Sequence, residues 1–107
     1  MLRESDRKLV ERFKSLMLER GVPVLETIVF GSRARGDADP DSDLDVLVIL
    51  ERSNWETETT VSDCAWEVGF DLDILVQPVV KTRHEVENTP QRSSLFMLAV
   101  RRDGVKV

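Results

Sequence analysis

Residues 28–50 read IVFGSRARGDADPDSDLDVLVIL, and this stretch holds the strongest structural signals in the sequence. It begins inside a β-rich segment, Leu25–Phe30, and ends with an apolar run, Leu44–Leu50, that only Asp45 interrupts. A run that is apolar on both faces predicts a central strand covered by helices. Between the two strands, the small, charged and turn-forming residues at 31–42 predict a loop with a short helix near its start.

A helix is predicted before the first strand. Ser5 and Asp6 are candidate N-caps, and apolar residues recur after them at helical spacing. Gly21 suits the left-handed position that follows a helix, and Pro23 prevents its continuation. We expect this helix to pack its apolar side on the sheet.

Two further helices and a third strand are predicted after Leu50. A capping box at 53–56 opens a helix to about Val68, in which Trp55 and Trp66 face inward. The remaining predicted elements are a strand at Phe70–Val76, an irregular segment at 79–92, a helix from Thr89 to Arg102 and a short edge strand at Val105–Val107. The order α-β-α-β-α-β-α predicts one α+β or α/β domain with a small sheet, spanning residues 1–107.

The composition excludes several kinds of site. The net charge of −5 leaves no basic stripe for nucleic acid. Cys64 is the single cysteine, which excludes an internal disulfide and a cysteine-based zinc site, and a single histidine, His84, excludes a multi-histidine site. Any metal is therefore expected to have oxygen ligands. The sequence shows neither a targeting signal nor a membrane span, so we expect a cytoplasmic protein.

Asp43 and Asp45 flank Leu44, so in a strand both carboxylates point to the same face. Two such charges about 4 Å apart repel by roughly 4 kcal/mol at an effective dielectric constant of about 20. A divalent cation converts that repulsion into a binding site. Asp-x-Asp alone is also common in solvated loops, so the interpretation depends on the residues around it.

The predicted third strand repeats the pattern, because Asp71 and Asp73 share one of its faces. If this strand neighbours Leu44–Leu50, one of its carboxylates can join Asp43 and Asp45. Three carboxylates without histidine or thiol form a hard oxygen site that suits magnesium.

Gly31 and Ser32 lie where the first strand passes into the short helix. Such a junction presents free backbone N–H groups and a hydroxyl, which suit a phosphate. Arg33 and Arg35 add the positive charge that a triphosphate needs. A phosphate cradle beside a carboxylate metal site predicts magnesium-assisted phosphoryl or nucleotidyl transfer.

Gly31-Ser32, followed after residues 33–42 by Asp43-Leu44-Asp45, resembles the signature of the DNA polymerase beta-like nucleotidyltransferase superfamily. The likeness is greatest to its smallest members, the minimal (MNT-type) nucleotidyltransferases. It extends to FDLDILV at 70–76 and to the C-terminal SSLFMLAVRRDGVKV. The resemblance implies the nucleotidyltransferase fold, a small mixed sheet flanked by helices.

The resemblance also implies roles for individual residues. Two Mg²⁺ ions would be bound by Asp43 and Asp45 together with Asp73, which would help to deprotonate the acceptor hydroxyl. Asp71 is the alternative third carboxylate. The residues implied in binding the triphosphate of ATP or another nucleotide are Ser32 and Arg35 at the β- and γ-phosphates, Gly31, which allows their close approach, and Ser42.

For function, the resemblance implies transfer of a nucleoside monophosphate, AMP from ATP, to a hydroxyl. Many minimal members pair with a small helical HEPN-domain toxin as its antitoxin, and that partner is the expected acceptor. Two alternatives remain open: a non-catalytic antitoxin with a vestigial nucleotide site, and a transferase acting on a small aminoglycoside-like molecule.

Overall fold

A computed structural model describes residues 1–37, 39, 41–88, 90 and 94–107. Its helices and strands are α1 Glu4–Glu19, β1 Val24–Phe30, α2 Ser32–Arg35, β2 Leu44–Leu50, α3 Trp55–Phe70, β3 Val76–Thr82, α4 Arg83–Asn88, α5 Leu95–Asp103 and β4 Val105–Lys106. The described strands form a mixed sheet in the order β3-β2-β1-β4, in which β2 is parallel to β3 and β1 is antiparallel to β2 and β4. The predicted α+β class, with helices flanking a small mixed sheet, is confirmed.

Strand β2 has the predicted bounds, and both of its faces are covered. Its even-numbered residues belong to a core shared with α1 and α3, whereas Leu47 and Ile49 belong to a second core with α4 and α5. All its residues except Asp45 are buried. This two-sided burial explains why the strand is apolar throughout except at its start.

The start of α1 differs from the prediction. Its N-cap is Arg3, so neither Ser5 nor Asp6 caps the helix. Asp6 is only 1% exposed, and its carboxylate accepts a hydrogen bond from the Arg33 guanidinium at 2.9 Å. Asp6 therefore forms a long-range ion pair instead of the helix cap that the local pattern predicted.

The predicted strand Phe70–Val76 is wrong, because α3 continues to Phe70 and a turn follows it. Gly69 makes the turn possible: its carbonyl accepts the Ile74 amide at 3.0 Å, and a Cβ on Gly69 would lie 2.1 Å from the Ile74 carbonyl oxygen. The alternation of apolar and acidic residues at 70–73 does not mark a buried face, since Phe70 and Leu72 are 66% and 55% exposed.

Strand β3 instead occupies Val76–Thr82, so it begins where the predicted strand was to end and runs into the segment predicted to be irregular, and α4 follows directly. Pro78 lies inside this strand, opposite Val46. Proline is tolerated because β3 is at the edge of the described sheet, where one side of the strand needs no amide donors. Thr89, the predicted cap of the last helix, lies outside the described residues, and Ser94 caps α5.

Both tryptophans of α3 were predicted to face inward, and both are exposed. Trp55 is 77% exposed and Trp66 63%. The buried side of α3 consists of smaller residues, Val61, Cys64, Ala65 and Val68. Small side chains let α3 approach the sheet closely, and Trp66, next to Ala65, points away from it. Among the described residues, no helix is both long and apolar enough to cross a membrane.

Candidate active site

The antiparallel pairing of β1 and β2 brings the Gly-Ser turn to the aspartates. Phe30, the last residue of β1, is the register partner of Asp45 near the start of β2. Gly31 follows with φ +77°, and a Cβ there would lie 2.6 Å from the Asp45 Oδ2. Glycine is therefore required twice, for its backbone conformation and for the space that the carboxylate occupies.

The turn leads directly into α2, whose N-cap is Gly31. The Gly31 carbonyl accepts the amides of Ala34 and Arg35 at 3.1 and 3.3 Å. Ser32, the first residue of the helix, is half-buried. The predicted passage from a strand through a turn into a short helix is confirmed. Ser32 follows β1 and therefore lies on the β1 side of β2.

The two arginines of α2 have different surroundings. Arg33 is 4% exposed; besides its ion pair with Asp6, its Nε donates to the Ser42 carbonyl at 2.8 Å. The expectation that Arg33 faces a triphosphate is therefore wrong. Arg35 has a side chain 46% exposed, with Asp37 at 3.3 Å, and it remains the arginine of this helix that a ligand can reach.

Ser42 is half-buried immediately before the aspartates. Its carbonyl holds Arg33, and its amide donates to the Asp39 carbonyl at 3.0 Å. These bonds anchor the end of the loop to α2 and therefore position the start of β2. The contact of Ser42 with a triphosphate stays a prediction.

Asp43 and Asp45 are separated by one residue, the buried Leu44. Asp43 is exposed and Asp45 half-buried. Burial raises the pKa of the Asp45 carboxyl, and the negative charge of Asp43 raises it further. A bound cation would relieve both effects, so this pair of oxygen donors fits a magnesium ion.

Asp73 does not lie on a strand but in the turn between α3 and β3, where its φ is +54°. It lines a cleft together with Asp41 and Asp43, whereas Asp71 lies on the far side of Phe70, 3.7 Å from Arg12. Within the described part of the chain, no three His, Cys, Asp or Glu side chains are grouped closely enough to hold a metal ion together. The ligand role of Asp73 stays a prediction, and the strand face it was to share with Asp71 does not exist.

Gln77 is the residue that the sequence prediction missed. In the parallel pairing of β2 and β3 it is the register partner of Asp45. Register partners lie on the same face of a sheet with strands about 4.8 Å apart. An exposed amide side chain is thus next to Asp45, where the misplaced third strand suggested a carboxylate. Because the third strand was predicted at Phe70–Val76, Gln77 was not expected beside Asp45.

Other conspicuous residues lie away from the aspartates. His84 is exposed on α4 and Cys64 is buried in α3, as expected for residues outside the chemistry. Trp66 is different: it stacks on Phe70 with ring centroids 4.8 Å apart, and both rings line the cleft that contains Asp43.

Part of this chain is similar in sequence to a named protein. A protein of Methanocaldococcus jannaschii, MJ0141, whose name calls it a candidate protein adenylyltransferase, is 37% identical over 54 residues, which is 50% of this chain and 54% of that protein. The match therefore spans about half of that relative.

Two solved structures share the fold. A chain described as a candidate nucleotidyltransferase of Sulfolobus solfataricus superposes with a TM-score of 0.58 at 22% identity, over 92% of this chain and 76% of its own. A chain from the complex of the tri-AMPylated Shewanella oneidensis HEPN toxin with MNT antitoxin gives 0.56 at 16% identity, over 94% and 70%. The two superpositions establish similarity of fold.

The sequence also matches a domain profile. The profile of the nucleotidyltransferase domain covers residues 7–97, from α1 into α5, and so includes the Gly-Ser turn, Asp43 and Asp45. The chain belongs to the nucleotidyltransferase domain family.

Proposed function

We propose that this chain transfers AMP from ATP, with magnesium, to a hydroxyl group on a small helical HEPN-type protein, acting as the antitoxin of that pair. The observation that carries the proposal is the contact between the Gly31 turn and the Asp45 carboxylate. This closeness supports a site in which the turn would bind phosphate next to the carboxylates that would bind the metal. The proposed setting is the cytoplasm, where ATP and magnesium are available.

The proposed binding roles follow the position of each side chain. Asp43 and Asp45 hold the magnesium, which when bound neutralises phosphate charge and polarises the α-phosphate. Ser32 and Arg35 bind the β- and γ-phosphates, and Gly31 leaves room for them. Ser42, anchored through Arg33, borders the triphosphate.

The reaction is a substitution at the α-phosphorus. The acceptor oxygen forms a bond to that phosphorus, the bond to the bridging oxygen of the β-phosphate breaks, and pyrophosphate leaves. Asp73 takes the acceptor proton, since it lines the same cleft as Asp43 without sharing a three-carboxylate cluster with it. The names of the similar proteins, a protein adenylyltransferase and an AMPylated HEPN toxin with MNT antitoxin, favour AMP and a protein acceptor.

Labelled ATP tests the proposal. The chain, magnesium and a candidate HEPN partner are incubated with ATP labelled at the α-phosphate or, separately, at the γ-phosphate. We expect label on the partner only from the α-position, and a loss of at least about 100-fold with Asp43→Asn. Asp63→Asn, the same change at an exposed position of α3, is the matched control and should transfer normally.

Two results would contradict the enzymatic proposal. One is the absence of transfer by the wild-type chain, and the other is equal transfer by Asp43→Asn. Toxin neutralisation that survives the double change Asp43→Asn/Asp45→Asn would support a non-catalytic antitoxin instead. Label on an aminoglycoside without any protein partner would support the small-molecule transferase.

A further inference from the structure

A cleft of about 380 Å³ opens beside Asp43 on the β3 side of the sheet. We call it the acceptor cleft and define it by Asp43, Trp66, Phe70, Asp73 and Leu75, which line it together with neighbouring residues. We propose that the acceptor cleft binds the segment of the partner protein that carries the acceptor hydroxyl, and that a lysine or arginine flanks this hydroxyl. This inference rests on the proposed function.

The order of the strands supports the position of the acceptor. The turn that would hold the β- and γ-phosphates follows β1, on one side of β2, and the acceptor cleft adjoins β3 on the other side. Attacking and leaving oxygens lie roughly in line in phosphoryl transfer. With pyrophosphate leaving on the β1 side, the acceptor must approach from the β3 side. The nucleoside, a third substituent of the same phosphorus, is not on this line.

The walls of the acceptor cleft favour a basic segment. Asp41, Asp43 and Asp73 all line it, and the described lining residues include no lysine or arginine. When Asp43 is engaged with magnesium, two carboxylates remain to attract a cation. The net charge of −5 acts in the same direction over longer distances.

The aromatic pair supplies a second and independent feature. Trp66 and Phe70 are stacked with an interplanar angle of 18°, yet they are 63% and 66% exposed. Leu75, 53% exposed, extends this apolar surface next to Asp73. Exposed rings beside carboxylates suit the apolar stem and the charged end of a lysine or arginine, through packing and cation–π contact.

Peptide binding tests the acceptor cleft without requiring transfer. The probes are Lys-Lys-Tyr-Lys-Lys and its twin Glu-Glu-Tyr-Glu-Glu, each titrated into the protein saturated with magnesium and a non-hydrolysable ATP analogue. Trp66 fluorescence is the readout, in a Trp55→Phe background that removes the other tryptophan. We expect the basic peptide to bind at least about tenfold more tightly than the acidic one.

Matched variants locate the binding. Phe70→Ala and Asp73→Asn should each weaken binding of the basic peptide about three- to thirtyfold. Leu98→Ala removes an apolar side chain that is 51% exposed on α5, and Glu87→Gln removes an exposed carboxylate of α4; neither residue lines the cleft, and neither change should alter peptide binding. Affinity for the ATP analogue should stay the same in Phe70→Ala and in both control variants.

Three results would overturn the inference: no binding of either peptide, equal binding of both, or equal effects of the cleft and control variants. A loss of analogue affinity in Phe70→Ala would also overturn it, because the cleft would then hold the nucleotide base. Peptide binding in a protein that fails the labelled-ATP test would leave the cleft intact and refute the proposed function alone.

Discussion

Gly31 is the residue on which the candidate site depends most directly. Its φ of +77° and the closeness of Asp45 Oδ2 are two separate reasons why this position requires glycine. Gly21 provides the comparison, because its φ is +82° and a Cβ there would meet nothing within 4 Å. The two glycines share the backbone demand, and only Gly31 carries the demand for space.

Gly31→Ala and Gly21→Ala therefore separate folding from function. Each should cost about 1–2 kcal/mol of unfolding free energy, because alanine is strained at positive φ. Gly31→Ala alone should weaken metal-dependent nucleotide binding at least about tenfold, since the new methyl group displaces the Asp45 carboxylate. Urea unfolding and calorimetric titration with Mg–ATP measure the two effects. Equal nucleotide affinity in both variants would contradict the assigned contact.

Asp45 predicts a dependence of stability on pH. Burial and the Asp43 charge raise its pKa in the folded protein. The stabilisation linked to this group is therefore complete below its unfolded pKa and is lost as the pH rises through its higher folded pKa. Without metal, Asp45→Asn should raise the unfolding temperature at neutral pH, and the gain should shrink as the pH falls towards the ordinary range of aspartate.

Thermal unfolding in EDTA across this pH range measures the effect. Adding magnesium and ATP should reverse the order at neutral pH, because only the wild-type carboxylate gains from the cation. A metal-free Asp45→Asn protein that is less stable than the wild type at neutral pH would show that the carboxylate is already compensated.

The short helix α2 is held in place by α1. The Arg33–Asp6 pair joins them with side chains that are 3% and 2% exposed, and Asp6 Oδ2 is buried without a hydrogen-bond partner among the described residues. Arg33 also holds the Ser42 carbonyl. One buried guanidinium thus connects α1, α2 and the start of β2, leaving Arg35 available for ligands.

Asp6→Ala should destabilise the fold by about 3–5 kcal/mol, because it leaves a buried guanidinium without its carboxylate. Arg35→Ala should cost less than about 1 kcal/mol, since its pair with Asp37 is exposed. Relative to the stability that each variant loses, Arg35→Ala should weaken nucleotide binding more than Asp6→Ala does. The Arg35→Ala protein should be folded but should bind nucleotide poorly. Urea unfolding and Mg–ATP titration provide both measurements. Similar stability losses would contradict the structural role of Arg33.

Strand β3 determines what stands beside the aspartates. Its parallel register with β2 pairs Asp45 with Gln77. The alternating pattern at 70–76 suggested an acidic neighbour, but a sheet register depends on how a whole strand packs and not on alternation within it. Val76, opposite Leu44, is the buried residue of this strand, and Val79 and Val80, opposite Leu47 and Val48, are half-buried.

Gln77→Asp should create the third carboxylate that the native strand lacks at this place. We expect Mn²⁺ to bind at least about tenfold more tightly, because affinity for hard cations rises with ligand charge. Asn88→Asp adds the same charge at an exposed position of α4 and should leave the affinity unchanged. Electron paramagnetic resonance of free Mn²⁺ gives both values. No difference between the variants would place Gln77 outside the metal's surroundings.

The site as a whole is assembled from segments far apart in the chain. The end of β1 and the start of β2 lie at the same end of the sheet, and α1 supports the loop between them through α2. The acceptor cleft lies between α3 and β3. A nucleotide bound there would contact several of these segments at once. Ligand binding should therefore stabilise the entire fold.

Mg–ATP at about 100 times its dissociation constant should add about 2.7 kcal/mol to the unfolding free energy. For a domain of this size that corresponds to a rise in unfolding temperature of roughly 10 °C. ATP in EDTA, and Mg–ATP with Asp43→Asn, should give a much smaller rise. Differential scanning calorimetry measures it, and an equal shift with and without magnesium would argue against a metal-assisted site.

Short-range patterns in the sequence sufficed for α1, β2 and the junction of Gly31 with α2. Each of these signals is complete within a few residues: helical spacing, a two-sided apolar run, or a glycine followed by a serine. The assignment of the family also followed from such a local signature, Gly31-Ser32 with Asp43-Leu44-Asp45, and the matching domain profile confirms it.

Packing between segments far apart in the chain determined the features that these local patterns did not predict. The partner of Arg33 lies 27 residues away, and the neighbour of Asp45 on β3 depends on where α3 ends and on which strand then fits against β2. For that reason Gln77, and not Asp73, is the neighbour of Asp45 on β3. The local sequence determines which conformations a segment prefers. The register of the strands and the neighbours of each residue are determined by the lowest free energy of the assembled cores, and these contacts form only in the folded chain.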